Sequence, residues 1–356
     1  MSKKQIVVLG LESSCDETAA SVVTGDGAIL SNVVLSQTDA HAPFGGVVPE
    51  IAARAHIVQM DRLIAQAMTD ANIDFSDLSA VAATAGPGLI GGVLVGLMTA
   101  KAIAAVADIP LIGINHLEGH ALTARLTEKT TFPYLLLLVS GGHSQLLVVE
   151  AVGKYRRLGT TIDDAVGEAF DKTAKMLELG FPGGPAVERA ALSGDPKKYA
   201  LPRPMKGREG CNFSFSGLKT AVRQLREKMG PNATSQEISD LAASFQQAAI
   251  DSLVNRTQHA VDIFKDEFPD GDTLVVAGGV AANQYLKLEL TKLTQFCKIK
   301  LAVPPPALCT DNGAMIAWAG VEKYKLGQFD SLALAARARW PLDPNAEPAP
   351  YAGYKA

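Results

Sequence analysis

Hydrophobic positions occur along the chain either as short continuous runs or at helical spacing. Two continuous runs, at 6–11 and 134–139, are each followed by a short turn of small and polar residues and then by a second apolar run. This pattern is typical of a hairpin of buried strands. Because the same pattern occurs twice, we predict an internal duplication with one copy in each of two domains.

After each hairpin, the pattern predicts alternating helices and strands, which favours sheets with helices packed on their faces. The predicted helices are 49–72, 91–106, 162–179, about 238–265, 280–294 and 311–325, and the predicted strands are 78–85, 110–114, 273–277 and 299–303. The stretch 194–217 has few periodic positions, so we expect an irregular insertion. The proline-rich end, 343–356, is expected to be a flexible tail.

Composition narrows the classes of protein. Hydrophobic residues make up 47% of the 356 residues and charged residues 20%, which excludes a disordered chain. The apolar stretch 89–100 is shorter than the ~20 residues that cross a membrane, and the apolar run after residues 1–4 is too short for a secretory signal. We therefore expect a cytoplasmic protein without a membrane partner. Four cysteines without a C-x-x-C pair exclude a zinc ribbon or a thioredoxin-like site.

Two histidines, His116 and His120, are four residues apart. In a helix both imidazoles would project from one face, as metal ligands require, but two unrelated polar residues would show the same spacing. A zinc protease of the H-E-x-x-H type has its glutamate directly after the first histidine. Glu118 instead lies two positions after His116, on roughly the opposite side of a helix. The spacing therefore allows a metal site and disfavours the protease mechanism.

Two histidines do not complete a metal site, and Asp311 is a candidate for a further ligand. It follows three prolines and precedes a predicted helix. Its carboxylate could bind a metal, or it could be the N-cap of that helix, which is the commoner role. The sequence leaves both possibilities open.

Three turns, 12–18, 140–143 and 278–280, contain the small residues of an anion-binding loop. Glycine lets backbone N–H groups approach a phosphate closely, although glycine is also common in any turn between a strand and a helix. The turn 278–280 lies between a predicted strand and a predicted helix, where nucleotides often bind in α/β proteins. None of the turns matches the P-loop motif.

Charge gives a mixed indication about nucleic acid. With 33 basic and 37 acidic residues, the net charge of −4 argues against a protein that binds nucleic acid by itself. A local basic patch nevertheless occurs in the irregular insertion. Its members are Lys197, Lys198, Arg203, Lys206 and Arg208. This patch could contact phosphates, or it could be an ordinary solvated loop.

Nine short motifs follow one another between residues 6 and 342. They are LESSCDET at 11–18, GGVVPE at 45–50, GPGL at 86–89, HLEGH at 116–120, VSGGH at 139–143, DDAVGEAFDK at 163–172, FSFSGLKT at 213–220, AGGV at 277–280 and CTDNGA at 309–314. In this order the chain resembles the TsaD family of tRNA adenosine threonylcarbamoyltransferases. The resemblance covers nearly the whole chain and is far more specific than any one motif.

The resemblance implies an α/β fold of two duplicated actin-like (ribonuclease-H-like) domains with a ligand cleft between them. This fold is shared by sugar kinases, heat-shock chaperone ATPases and actin. The first domain would comprise 1–115 and about 323–342. The second would comprise 116–322, including the insertion near 194–217.

The resemblance also implies an activity. Members transfer the threonylcarbamoyl group from threonylcarbamoyl-adenylate to the exocyclic amine of the adenosine at position 37, 3′ of the anticodon, in tRNAs that read codons beginning with A, releasing AMP. They hold one divalent metal ion per chain, with iron(II) the first choice and zinc the alternative. Bacterial members work with TsaB-type and TsaE-type proteins, and a TsaC-type enzyme supplies the adenylate.

Carried over by position, the resemblance implies roles for individual residues. His116, His120 and Asp311 would be the metal ligands, and Glu12 would place a carboxylate near the transferring carbonyl. The adenylate-binding positions would be Leu138, Val139, Ser140, Gly141, Gly142, Asp171, Gly184 and Asn283. Asp171 would accept hydrogen bonds from the ribose, and the Ser140–Gly142 backbone would hold the phosphate. Asn115 stands where some members have a further histidine, so we do not expect it to be a ligand.

Two rival functions stay open beside the transferase. A metalloprotease would account for the histidine pair and predicts peptide cleavage that chelators stop. A nucleotide-binding scaffold without catalysis, as actin-like folds can be, predicts nucleotide binding without group transfer.

Overall fold

The computed structural model describes residues 5–348 and shows a mixed α/β chain. The strands are β1 Val7–Glu12, β2 Glu17–Thr24, β3 Ile29–Ser36, β4 Ala80–Gly86, β5 Leu111–Asn115, β6 Tyr134–Val139, β7 Ser144–Ala151, β8 Lys154–Thr160, β9 Thr273–Ala277 and β10 Lys300–Ala302. The helices are α1 Thr38–His41, α2 Pro49–Ala71, α3 Ile90–Ala107, α4 His116–Thr127, α5 Val166–Met176, α6 Gly183–Ala191, α7 Ser216–Met229, α8 Ser235–Glu267, α9 Gln284–Cys297, α10 Pro306–Cys309 and α11 Gly313–Lys325. Short 3-10 turns occupy Ala42–Phe44, Phe75–Asp77 and Gly279–Ala282.

The strands form two five-stranded sheets with the same order, which confirms the predicted duplication. The first sheet runs β3-β2-β1-β4-β5 and the second runs β8-β7-β6-β9-β10. In each sheet the first three strands along the chain form an antiparallel meander, and the last two pair in parallel. The central strands β1 and β6 are fully buried, as their continuous apolar runs predict.

The chain divides into two compact units. Of the described residues, unit 1 comprises 5–129 and 304–344, and unit 2 comprises 130–303 and 345–348. These boundaries differ from the predicted ones, because 116–129 and 304–322 belong to unit 1. The physical reason is that α4 packs on α11, and α11 in turn packs on β1, β2 and β4 of the first sheet.

Close backbone packing fixes α11 on the first sheet. A Cβ at Gly10 of β1 would lie 2.3 Å from the backbone nitrogen of Ala317 and 2.5 Å from the carbonyl oxygen of Gly313. Glycine at this position therefore permits α11 to approach the strand. Since α11 directly follows Asp311, this contact also sets where that carboxylate lies.

The segment after α11 runs across the ends of β4 and β5. Asp330 accepts a hydrogen bond from the Gly113 N–H at 2.8 Å, and the Arg337 N–H donates to the Ala85 carbonyl at 2.8 Å. The Asn115 side chain donates to the Trp340 carbonyl at 2.9 Å. The ends of the two strands are thereby held in place just before His116. Of the predicted tail, 349–356 lies outside the described residues.

The helix α3 is longer than its apolar sequence suggests. The apolar stretch is interrupted by Lys101, but the helix continues to Ala107 and is long and apolar enough to cross a membrane by length and composition alone. It packs against α2 and β4 in unit 1, and Val93, Leu97 and Ala100 on its inner face are buried. Only 33% of the helix is buried, and Leu94, Met98 and Val106 on its outer face are exposed.

Candidate metal centre and nucleotide-binding turns

The strand β5 and the helix α4 place the two histidines. Asn115 ends β5 and caps α4, because its side-chain oxygen accepts the Leu117 N–H at 2.9 Å. His116 is therefore the first residue of the helix, and His120 lies one turn later on the same face. Their rings are edge to face, with centroids 4.8 Å apart. The cap also removes Asn115 from the set of candidate ligands.

Asp311 completes a cluster with the two histidines. The N-cap of α11 is Asn312, whose side chain accepts the Met315 N–H at 3.0 Å, so Asp311 does not cap the helix. Its Oδ1 lies 3.0 Å from Nε2 of His120 and 3.5 Å from Nε2 of His116. One ligand atom from each of the three residues lies within 4.8 Å of the others.

The donor set of this cluster fits a transition metal. Two imidazoles and one carboxylate form the combination that zinc and non-haem iron(II) sites use. His116 and His120 are buried, so their rings are held by the surrounding protein rather than by solvent. Nδ1 of His120 is buried without a hydrogen-bond partner. The residues present therefore fit the metal that the family resemblance implies.

Glu12 lies beside His116 and is completely buried. Its Oε1 accepts the Ser14 N–H at 2.6 Å. Its Oε2 accepts the Thr84 hydroxyl at 2.6 Å and lies 2.9 Å from Nδ1 of His116. Both carboxylate oxygens are thus engaged by unit 1 itself. Ser14 and Thr84, which surround Glu12, were not singled out from the sequence.

Charges around the cluster shift its acid–base properties. Burial lowers the pKa of His116, but Asp311 and Glu12 outweigh that effect and raise the pKa to about 9. Burial would raise the pKa of Glu12, but the interaction with His116 holds it below its ordinary value. Burial, together with Asp311 and Asp16, raises the pKa of Glu17 to about 9. No pattern in the sequence indicates that Glu17 shares this environment.

Glu118 is directed to a different interaction. Its Oε2 lies 2.9 Å from Nζ of Lys323 on α11, and the side chain is almost fully buried. A general base for peptide hydrolysis must reach the metal-bound water. The ion pair with Lys323 occupies Glu118 instead, so the structure gives no support to the protease hypothesis.

In unit 2, the turn after β6 forms an open backbone surface. Leu138 and Val139 are buried in β6, and Ser140 closes the turn by donating its N–H to the His143 carbonyl at 2.8 Å. A Cβ at Gly141 or Gly142 would meet no atom within 4 Å. The turn therefore presents free space over its backbone, as an anion-binding loop requires.

The helix α5 brings Asp171 toward the same part of unit 2. Gly167, one turn before Asp171, packs so closely on Ser140 that an added Cβ would lie 2.5 Å from its carbonyl oxygen. Oδ1 of Asp171 accepts the Gly183 N–H at 2.9 Å, which places the carboxylate beside Gly184 at the start of α6. A Cβ at Gly184 would also meet no atom within 4 Å.

Asn283 follows the glycine turn after β9 and is an N-cap. Its side-chain oxygen accepts the Leu286 N–H at 2.9 Å, and its amide donates to Gln246 at 3.0 Å. The preceding turn, Gly279–Ala282, contacts both α5 and β6. Gly278 has a φ of +91°, and a Cβ there would lie 2.4 Å from the Val139 carbonyl. The predicted adenylate-binding positions thus gather around the ends of β6 and β9.

Some residues of the basic patch in the insertion make contacts within the chain itself. Arg203 pairs with Asp251 at 3.0 Å and donates to the Leu201 carbonyl at 2.7 Å. The Arg208 carbonyl accepts a hydrogen bond from Arg256, whose buried guanidinium holds this segment. Lys197 and Lys198 are exposed. As predicted, most of the insertion has neither helix nor strand until α7 begins at Ser216.

Comparison with known proteins identifies related chains. Residues 28–318 match the family model described as TsaD: tRNA N6-adenosine threonylcarbamoyltransferase. A protein of that name from Paramagnetospirillum magneticum is 60% identical over 341 residues, which are 96% of this chain and 98% of the relative. One from Rhodopseudomonas palustris is 58% identical and covers 100% of this chain and 99% of the relative.

Solved structures with low sequence identity share the fold. Component A of (R)-2-hydroxyglutaryl-CoA dehydratase from Acidaminococcus fermentans is 14% identical with a TM-score of 0.52, covering 90% of this chain and 99% of that chain. Full-length HypF is 13% identical with a TM-score of 0.58, covering 91% of this chain and 56% of that chain. These likenesses confirm the predicted actin-like fold class.

Proposed function

This chain belongs to the TsaD family of tRNA N6-adenosine threonylcarbamoyltransferases, and from that membership we propose a specific reaction for it. The chain transfers the threonylcarbamoyl group of threonylcarbamoyl-adenylate to the exocyclic amine of adenosine 37 in tRNAs that read codons beginning with A. The new bond joins that amine to the carbamoyl carbon. The bond between this carbon and the phosphate oxygen breaks, and AMP leaves.

His116, His120 and Asp311 would hold one divalent metal ion per chain. Iron(II) is our first choice and zinc the alternative, since both accept two imidazoles and a carboxylate. When bound, the metal supplies Lewis acidity that stabilises negative charge. Oδ1 of Asp311 lies 3.0 Å from Nε2 of His120 and 3.5 Å from Nε2 of His116, and this convergence supports the proposed ligand set.

The adenylate would bind at Leu138, Val139, Ser140, Gly141, Gly142, Asp171, Gly184 and Asn283. The open backbone at Gly141 and Gly142 supports a phosphate site, because nothing within 4 Å blocks an approaching anion. The carboxylate of Asp171 is held at Gly183 and would orient the ribose hydroxyls. Asn283 would contribute through the position of its backbone, because both polar groups of its side chain are engaged.

The reaction requires mainly that the chain position its two reactants correctly. The substrate is a mixed anhydride and is already activated, so the chain need not form a covalent intermediate. Its task is to hold the carbonyl against a weakly nucleophilic aromatic amine and to exclude water. Correct placement of two reactants can contribute roughly 7–11 kcal/mol of barrier reduction. The turns and carboxylates described above are the groups that would fix the adenylate.

Further components belong to the proposal. TsaB-type and TsaE-type proteins would assist the chain, and a TsaC-type enzyme would supply the adenylate. We place the reaction in the cytoplasm, without a membrane partner.

The cluster of His116, His120 and Asp311 in a member of this family is the observation that carries the proposal. Replacing His116 with alanine should remove both the bound metal and the transfer activity, measured by metal analysis and by incorporation of labelled threonine into tRNA. The matched control is His259→Ala, because His259 lies on α8 of unit 2 and should leave both intact. Normal transfer by a metal-free His116→Ala protein would contradict this role of the metal.

A further inference from the structure

A cavity in unit 2 is lined mainly by cations. It lies between α5 and α7 and has a volume of about 430 Å³. The residues around it are Lys172, Lys175, Met176, Lys219, Thr220 and Arg223. None of them is a proposed adenylate-binding position. Four of the six side chains are basic, and Lys175 and Arg223 among them are exposed, so an anion in solution can reach them.

The acidic partners satisfy only part of this charge. Asp164 lies 3.0 Å from Lys172 and 2.6 Å from Lys219, and Glu168 lies 2.9 Å from Lys172. These contacts hold the two lysines at the cavity wall with limited freedom. Their charges are therefore largely compensated within unit 2.

Lys175 and Arg223 are less compensated than the other two cations. Lys175 is exposed and, within residues 5–348, makes none of the ion pairs that hold Lys172 and Lys219. Arg223 has Glu227 at 3.7 Å, and both side chains are more than half exposed. An exposed pair of this kind is screened by water and contributes little. Two flexible cations therefore remain available beside two fixed ones.

The lining indicates which anion fits. No aromatic ring lines the cavity, so a nucleobase finds no surface on which to stack. Lysine and arginine on flexible stems are the groups that contact nucleic-acid phosphates without reading the base sequence. The chain acts on tRNA but carries a net charge of −4, so it needs a local cationic surface to hold a polyanion.

We propose that the α5–α7 cavity binds phosphates of the tRNA backbone, with Lys175 and Arg223 making the contacts and Asp164 fixing Lys172 and Lys219 beside them. The inference rests on tRNA being the substrate. It names a surface different from the insertion patch.

The test replaces Lys175 and Arg223 with glutamine in the full chain and measures binding of fluorescent tRNA at several salt concentrations. Because each lost phosphate contact lowers the salt slope by about one, we expect a slope reduced by about two. Affinity should fall by a similar factor for substrate tRNAs and for tRNAs that are not modified. The transfer assay should show a raised KM for tRNA and an unchanged KM for the adenylate.

The matched control is the double variant K197Q/K198Q, which removes two exposed lysines from the insertion patch. Our proposal predicts that its salt slope stays close to that of the unmodified chain. An unchanged slope in the cavity variant would overturn the proposal. A raised KM for the adenylate with unaltered tRNA binding would overturn it as well, since the cavity would then take a small anion. Because binding is measured directly, failure here is distinguishable from absence of transfer.

A separate observation concerns Glu12. Its carboxylate is inaccessible to solvent, and both of its oxygens accept hydrogen bonds within unit 1, from Ser14 and Thr84. Its remaining contact, at 2.9 Å, is Nδ1 of His116. Since a carboxylate can only accept, Nδ1 donates to Glu12, with the Ser14 hydroxyl also 3.1 Å from Nδ1, and Nε2 is the nitrogen on the side of Asp311, 3.5 Å away.

The geometry points to Glu12 as a positioning residue that orients His116 for the metal, in place of the role near the transferring carbonyl. Carboxylates that hold a ligating imidazole in this way fix both its tautomer and its ring plane. Ser14 and Thr84 would in turn fix the carboxylate. In this role Glu12 raises the affinity for the metal, and it affects the transfer activity only through the bound metal.

The test titrates Glu12→Gln with cobalt(II) and follows its absorption spectrum. We expect a metal affinity about 10- to 100-fold weaker than that of the unmodified chain. Thr84→Val removes one hydrogen bond to the carboxylate and should give a smaller loss of metal affinity. This variant replaces Glu12→Gln in the test if Glu12→Gln folds poorly. Glu118→Gln is the matched control, because this buried carboxylate of α4 pairs with Lys323.

Unaltered cobalt affinity in Glu12→Gln would overturn the positioning role. If the same variant also lost transfer, Glu12 would act on the substrate instead. A loss of affinity in Glu118→Gln as large as in Glu12→Gln would overturn it too, because any buried charge on α4 would then produce the effect.

Discussion

Asp164 shows how a single carboxylate can organise a basic region. It accepts hydrogen bonds from two lysines on different helices, Lys172 of α5 and Lys219 of α7. Burial opposes its ionisation, but the two lysines outweigh this effect and hold the pKa of the carboxyl below its ordinary value of 3.8. Its contribution to stability is therefore present above that value and is lost as the pH falls through the lower pKa of the folded state.

Replacing Asp164 with asparagine should lower the free energy of unfolding by about 1–3 kcal/mol at pH 7, as expected for hydrogen bonds to charged groups. The difference should be the same at pH 5 and smaller at pH 3, where the carboxylate of the unmodified chain begins to be protonated. Denaturant unfolding at the three pH values measures it. Asp61→Asn, on the exposed side of α2, should show a difference near zero throughout. A difference for Asp164→Asn that grows at pH 3 would contradict the sign of this argument.

Single residues also show what a sequence can and cannot decide. Asp311 could have been an N-cap or a ligand, because either role suits an aspartate before a helix. The structure assigns the cap to Asn312 and leaves Asp311 facing two histidines. The burial of Glu12 was equally hidden, because it depends on Thr84, 72 residues away. Contacts over such separations have no local pattern in the sequence.

At the scale of elements, helices and strands with a strongly periodic or continuous apolar pattern were predicted close to their observed bounds. The strand Thr273–Ala277 was predicted with its observed bounds, and α2 differs by one residue at its end. The strands β3 and β8 were missed, because each is partly exposed and carries polar residues that weaken the apolar run. The helix α6 is absent from the predicted helices, because glycine and proline at its Gly-Gly-Pro start are residues that usually interrupt a helix.

The approach of α11 to β1 gives a prediction at this scale. Gly10→Ala would place a methyl group against the backbone of α11, and backbone cannot move aside as a side chain does. We expect a loss of roughly 1–3 kcal/mol in the free energy of unfolding, the usual cost of overpacking. Because α11 follows Asp311, metal affinity should fall as well.

The control for this change is Gly217→Ala, where an added Cβ meets no atom within 4 Å. This variant should unfold at the same denaturant concentration as the unmodified chain. Equal stability of Gly10→Ala and Gly217→Ala would mean that α11 is not held by the close contact with β1.

At the scale of the whole chain, the duplication was predictable and the unit boundaries were not. Two hairpins with the same pattern indicated two similar sheets, and both sheets have the same strand order. Residues 304–344 belong to unit 1 because α11 packs against β1. No local pattern in the sequence predicts this long-range contact. Spacing alone left the metal site open, and the family resemblance supplied the proposal that His116, His120 and Asp311 are its ligands.

Metal binding should stabilise unit 1, because the ligands come from segments far apart in sequence. A metal that binds only the folded chain at 100 times its dissociation constant adds about 2.7 kcal/mol. Removing the metal by chelation should therefore lower the melting temperature of the unmodified chain. The double variant H116A/H120A should melt at the same temperature with and without metal. A shift of equal size in both proteins would place the metal elsewhere.

The transfer of threonylcarbamoyl to tRNA is the central claim, and its most direct test is incorporation of labelled threonine. The mixture contains tRNA, bicarbonate, ATP and the TsaB-, TsaC- and TsaE-type proteins, with or without this chain. We predict label at adenosine 37 only when the chain is present. No label, while a characterised relative succeeds in the same mixture, would contradict the claim and favour a scaffold that binds nucleotide without transferring a group.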